Sequence, residues 1–195
     1  MKRLLLFLLA LSASLTWGQN SHEKRYELRP DPNWPLEIEL GSGDYQIVAS
    51  GSDSIAVVYD GSNADTMRNV KVQIDSGHGQ NHLKIAGSKS NFRAVIEVPR
   101  KTDLRIRMSA GGLSIGDVEG NKDIEIIAGN LELNSLHPQD YAQADFSVRI
   151  GDVYAPLFKT AKSHLSRSFK TAGPGKYRLH AHVGVGDLTL KTKRI

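Results

Sequence analysis

The sequence predicts an all-β protein, and three observations carry that prediction. From Leu36 onward, apolar residues alternate with polar ones or gather in β-branched runs, the period-two signature of half-buried strands. No stretch before residue 155 has a helical period. One short phrase also returns five times: glycine, then Asp, Asn or Gly, then an apolar residue, any residue, and a second apolar one. Its copies are "GDYQI" at 43, "GGLSI" at 111, "GNLEL" at 129, "GDVYA" at 151 and "GDLTL" at 186.

Taken in order, the strands read as "LEIEL" (36–40), "SIAVVY" (54–59), "NVKVQI" (69–74), "HLKIAG" (82–87), "AVIEV" (94–98) and "LRIRM" (104–108), separated by Gly, Asn, Asp and Ser. Later copies of the phrase follow the alternating runs "IEIIA", "FSVRI" and "LHAHVGV". From Gly111 to Gly129 to Gly151 to Gly186 the gaps are 18, 22 and 35 residues, the last about two units. A repeat near 20 residues belongs to stacked coils, in which each strand and turn buries its apolar side only against its neighbours. "GDVEG" at 116 nearly matches the phrase. Strand spacing is longer and irregular between 50 and 100, and that region reads either as further coils or as a separate antiparallel meander.

The second position of the phrase is occupied by Asp44, Gly112, Asn130, Asp152 and Asp187. These residue types share a tolerance for turns and left-handed backbone. A catalytic carboxylate could not be exchanged for glycine and still work. Gly43, Gly111, Gly129, Gly151 and Gly186 are therefore expected to be structural corners, not members of a hydrolytic cluster.

The N-terminus is a separate matter. "MKRLLLFLLALSASLTWGQ" places Lys2 and Arg3 before an apolar run and small residues at Thr16 and Gly18, which reads as a secretory signal over 1–18 cut after Gly18. The apolar run is shorter than the roughly 18 to 20 residues that span a bilayer, so no transmembrane anchor is expected after cleavage. Residues 19–35, polar and ending in three prolines, read as a flexible lead-in. Residues 36–195 read as a single all-β domain. With no cysteine in the chain, the exported fold must rest on its core. Cleavage would leave 23 basic residues (25 less 2) against 21 acidic ones. That mild balance makes nucleic acid a poor partner, and the expected setting is a bacterial periplasm or the external medium.

The stretch "VIEVPRKTDLRIRMSAGGLSIGDVEGNKDIEIIAGNLEL" (95–133), with "YRLHAHVGVGDLTL" (177–190), resembles the bacterial putative-adhesin family, a domain of unknown function marked by repeated "GxLxV" and "GDVxL" phrases. The resemblance covers about residues 36 to 192. It implies a right-handed β-solenoid or a closely related twisted β-stack, exported or membrane-linked, with no catalytic residues to carry over. The insertion at 156–176 departs from the repeat.

That insertion is the most distinctive surface candidate. No acidic residue lies between Val153 and Gly186, where Lys159, Lys162, Arg167, Lys170, Lys176 and Arg178 sit with His164, His180 and His182. A field of one sign would suit anionic glycolipid, acidic polysaccharide or another envelope protein; alternatively the charges keep a sheet edge from pairing. "SRSFKT", "AGPG" and "KYRLHA" read as a hairpin around a Gly-Pro turn in preference to a short helix. In "YRLHAHV", Tyr177, Leu179, Ala181 and Val183 take one face, and His180 and His182 project side by side on the other. Zinc wants three or four ligands, and no carboxylate is near this pair in sequence, so no metal is expected; His78 and His82 lie apart in "GHGQNH". There is no nucleophile elbow or phosphate loop, and no cofactor is expected. The reading is a non-enzymatic exported β-protein of unknown ligand. Its rival is a polysaccharide lyase or hydrolase, which would need a paired acid–base set.

Overall fold

The computed structural model describes residues 24–61, 69–77, 79–87, 92–156 and 168–191. The signal over 1–18 and the first part of the lead-in lie outside the described residues, as do His78, Lys159, Lys162, His164 and Arg167. Strands dominate: β1 (Lys24–Leu28), β2 (Leu36–Ser50), β3 (Ile55–Gly61), β4 (Lys71–Gly77), β5 (Gln80–Ala86), β6 (Phe92–Pro99), β7 (Leu104–Gly116), β8 (Lys122–Asn134), β9 (Tyr141–Ile150), β10 (Val153–Tyr154), β11 (Ser168–Ala172), β12 (Tyr177–Val185) and β13 (Leu188–Leu190). All belong to one mixed sheet.

The recurring phrase marks where that sheet turns. In β2 the buried residues are Leu36, Ile38 and Leu40 before Gly43, then Tyr45 and Ile47 after it. The alternation slips by one residue at the glycine. In β7 it slips between Met108 and Leu113, and in β8 between Ile126 and Leu131. Such a slip lets the chain bend and still present its apolar side to the same core. The sheet is thereby divided into two wings. The upstream wing, before the glycines, runs β4-β5-β2-β7-β8-β12-β9-β11; the downstream wing runs β1-β3-β6-β2-β7-β8-β13-β10. Both line one apolar cluster.

The five corner glycines form a column in the order Gly43, Gly111, Gly129, Gly186, Gly151. Gly43 pairs with Gly111 and Gly111 with Gly129 in register. All five have positive φ, and a Cβ on any of the last four would overlap the carbonyl oxygen of the glycine before it in the column. The side chain after the corner then ties the layers. Asp44 Oδ1 accepts the Gly112 N–H at 3.1 Å, Asn130 Oδ1 the Asp187 N–H at 3.0 Å, and Asp187 Oδ1 the Asp152 N–H at 3.0 Å. This explains why Asp and Asn recur there: each is short enough to accept from the amide one layer away. A matching ladder opens the upstream wing, from Asp103 to the Asn121 N–H (2.7 Å) and from Asn121 to the Arg178 N–H (2.9 Å).

Two readings of the sequence are corrected here. Coils stacked in chain order would set β9 against β8, but β12 lies between them, parallel to both. For the same reason "SRSFKT" and "KYRLHA" do not form a hairpin. β11 pairs with β9, and the turn between β11 and β12 packs Gly175 onto the backbone of Asp140. The strands of the region 50–100 belong to the common sheet and are not a separate meander. β5 and β6 run parallel to β2 on its two wings, while β3, β4 and β1 add antiparallel strands outside them.

Candidate functional site

The solvent side of the upstream wing carries two rows of side chains in cross-strand register. The first reads Asp75, His82, Glu37, Arg105, Asp123, His180, Asp145 and Lys170; the second reads Gln73, Lys84, Glu39, Arg107, Glu125, His182, Ser147 and Ser168. In the first row acidic and basic residues alternate across all eight strands. Opposite charges facing each other across a ladder stabilise pairing, and like charges destabilise it.

The contacts follow. Arg105 meets Glu37 at 3.2 Å, Lys84 meets Glu39 at 2.5 Å, Arg107 meets Glu125, and Lys170 meets Asp145 at 2.9 Å. His180 Nδ1 lies 3.9 Å from the Asp145 carboxylate, His82 Nδ1 lies 4.0 Å from Asp75, and the Ser147 hydroxyl is 2.8 Å from His182 Nδ1. The hydrogen bond from Lys84 holds the Glu39 carboxyl below its ordinary range.

Of the six predicted basic residues, three fall among the described residues. Lys170 is paired with Asp145, the Lys176 ammonium sits 4.9 Å from the centre of the Tyr177 ring, and Arg178 is exposed at the start of β12. Lys176 and Arg178 border a groove of about 620 Å³ with Arg105 and His180, and also with Asp103, Asp123 and Asp145. The one-sign field expected from sequence is thus interleaved, among the described residues, with carboxylates from neighbouring strands. His180 and His182 do face outward as expected, and Leu179, Ala181 and Val183 are buried. Among the described residues no group of three His, Asp or Glu side chains is placed to hold a metal.

The downstream wing has a different outer face, a trough of about 900 Å³. Its lining crosses neighbouring strands, with Arg93 and Val95 of β6, Asp44 and Gln46 of β2, Gly112 and Ser114 of β7, and Asn130, Glu132 and Asn134 of β8. Asn134 donates to the Ser114 hydroxyl at 3.0 Å. The two trough carboxylates named here are committed. Asp44 holds the Gly112 amide, and Glu132 accepts from Lys191 at 2.7 Å, a hydrogen bond that keeps its carboxyl below the usual range.

Sequence reasoning missed a buried cation. Lys122 takes the inward position that Leu104 and Leu179 occupy on its neighbours and is 3% exposed. Its ammonium donates to the carbonyls of Val118 (2.7 Å) and Gly120 (3.2 Å) and lies 2.9 Å from the Tyr141 hydroxyl. Burial lowers its pKa to about 8 and raises that of Tyr141. With every donor satisfied, it serves to close the end of the core.

No protein-family model matches the chain, and no curated protein sequence does. Among solved structures, one shares its fold and others align more weakly. A protein named as a "putative cell adhesion protein" from Clostridium sporogenes aligns with a TM-score of 0.54 at 13% identity, over 89% of this chain and all of that one. A "putative adhesin" from Bacteroides fragilis aligns at 0.32 and 9% identity, over 86% of this chain and 96% of the other. A "putative lipid binding protein" from Parabacteroides distasonis aligns at 0.27 and 10% identity, over 90% of this chain and 98% of the other. The first of these shows a common all-β architecture, and the lower scores bear no further weight.

Proposed function

We propose that this chain is an exported, non-enzymatic binding protein of the adhesin-like kind, a twisted β-stack related to β-solenoids, which presents its basic segment to anionic envelope material. The observation that carries the reading is the commitment of the carboxylates. Glu37, Glu39, Glu125 and Asp145 each answer a cation on a neighbouring strand, and Glu132 answers Lys191 just past β13, so these five carboxylates hold layers together. Exposed ion pairs of this sort contribute little singly, but in rows they fix register. The adhesion name of the Clostridium sporogenes structure supports the reading, as does the signal-like N-terminus. No helix among the described residues is long and apolar enough to cross a membrane.

The contact surface in this reading is Lys159, Lys162, Arg167, Lys170, Lys176 and Arg178. Replacing Lys159, Lys162, Arg167 and Lys170 together with glutamate should abolish salt-sensitive retention on acidic polysaccharide or anionic vesicles while leaving the β-sheet circular dichroism unchanged. Unaltered retention would remove this surface. The trough on the downstream wing favours one second reading, a polysaccharide-active enzyme. Incubation with acidic and neutral polysaccharides should then release reducing ends or unsaturated products, and a blank panel retires it.

A further inference from the structure

The two ends of the upstream wing are complementary, and we propose that they join one copy of this chain to the next, end to end. β4 and β11 are the outermost strands of that wing; among the described strands none is hydrogen-bonded to the outer side of either, although β1 of the other wing packs close to β4. An alternating row that spans eight strands must begin and finish on opposite signs, and this one begins with Asp75 on β4 and finishes with Lys170 on β11. Both strands also run in the same direction, each antiparallel to its inner neighbour, while those neighbours are parallel through the rest of the wing. A β4 from a second copy set beside β11 therefore makes a parallel pair in register, with Asp75 of the newcomer facing Lys170. Lys170 would then stand between that carboxylate and its own Asp145, as Arg105 stands between Glu37 and Asp123.

The apolar side favours the same union. Ile74 on β4 and Phe169 on β11 point toward the core, yet both are only partly buried, whereas Ile38, Ile106 and Ile124 on inner strands are buried. A strand added at either end completes their cover. Because the joined surfaces differ, the contact is head-to-tail and leaves a free end after each addition. The opposing view of Lys170 is that a lysine on an edge strand prevents pairing.

Sedimentation velocity of the protein across a concentration series separates the two. The proposal expects an average mass that climbs without stopping at a dimer and falls when salt is added. Asp75→Lys and Lys170→Asp should each lose the association while keeping the β-sheet circular dichroism of the parent. An equimolar mixture of the two variants should regain it, since each supplies the charge the other lacks. A parent that stays monomeric throughout, single variants that associate as the parent does, or a mixture that stays monomeric would each overturn the proposal.

Discussion

Gly129 shows how much one position is asked to do. Its backbone lies at φ 144°, where an L side chain is strained, and a methyl group there would overlap the carbonyl of Gly111. The left-handed conformation alone costs about 1 to 2 kcal/mol for a non-glycine residue, and the overlap adds to it. Gly129→Ala should therefore lower stability by more than about 2 kcal/mol, read as a shifted urea midpoint. Lys122 makes the other residue-scale prediction. Its folded pKa of about 8 lies below the ordinary 10.5, so between those values the unfolded chain holds more protons and stability rises with pH. Relative to Lys122→Met, the parent should gain about 2 kcal/mol between pH 8 and pH 10. Comparison with the variant also removes the opposing effect of Tyr59, whose raised pKa favours unfolding near and above pH 10. Chemical denaturation at several pH values checks both sign and size, and a flat difference would contradict the burial argument.

At the scale of the strand and corner, the sequence was legible in its parts and not in its order. Aligning the five copies on the corner glycine puts Glu37, Arg105, Asp123, Asp145 and His180 at one position, six residues before it. The charges were there to be read. What chain order hides is that stacking 145 directly on 123 would set two aspartates face to face, which costs pairing energy. Placing β12 between β8 and β9 sets His180 between those aspartates, a physical reason for the insertion. The hairpin reading failed because local turn chemistry around Gly173, Pro174 and Gly175 was legible, whereas the stronger pairing of β9 with both flanking strands was not. Lys122 was opaque for a similar reason: nothing local marks a lysine whose partners are a turn four residues back and a tyrosine 19 residues on. The polar second position of the phrase was assigned to turn geometry alone. The structure adds its bond to the next layer, and Asn130→Ala should cost about 0.5 to 1.5 kcal/mol, while Asn130→Asp, which keeps the acceptor, should stay near the parent.

For the molecule as a whole, the layers are tied by corner, charge row and shared core, and no single layer stands alone. β12 is the piece that joins the chain's last segment to its middle, so the arrangement depends on that strand's place. Since the chain has no cysteine, introduced thiols report on proximity without interference. The most direct test is a pair of double variants, Glu125→Cys with His182→Cys and Glu125→Cys with Ser147→Cys, treated with a short bifunctional thiol reagent under native conditions. His182 faces Glu125 on the adjacent strand, and Ser147 lies one strand further away. Efficient cross-linking of 125 to 182 with little of 125 to 147 is the predicted result. Preferential linking of 125 to 147 would mean that the layers follow chain order, and would contradict the inserted strand on which the charge row and the glycine column both depend.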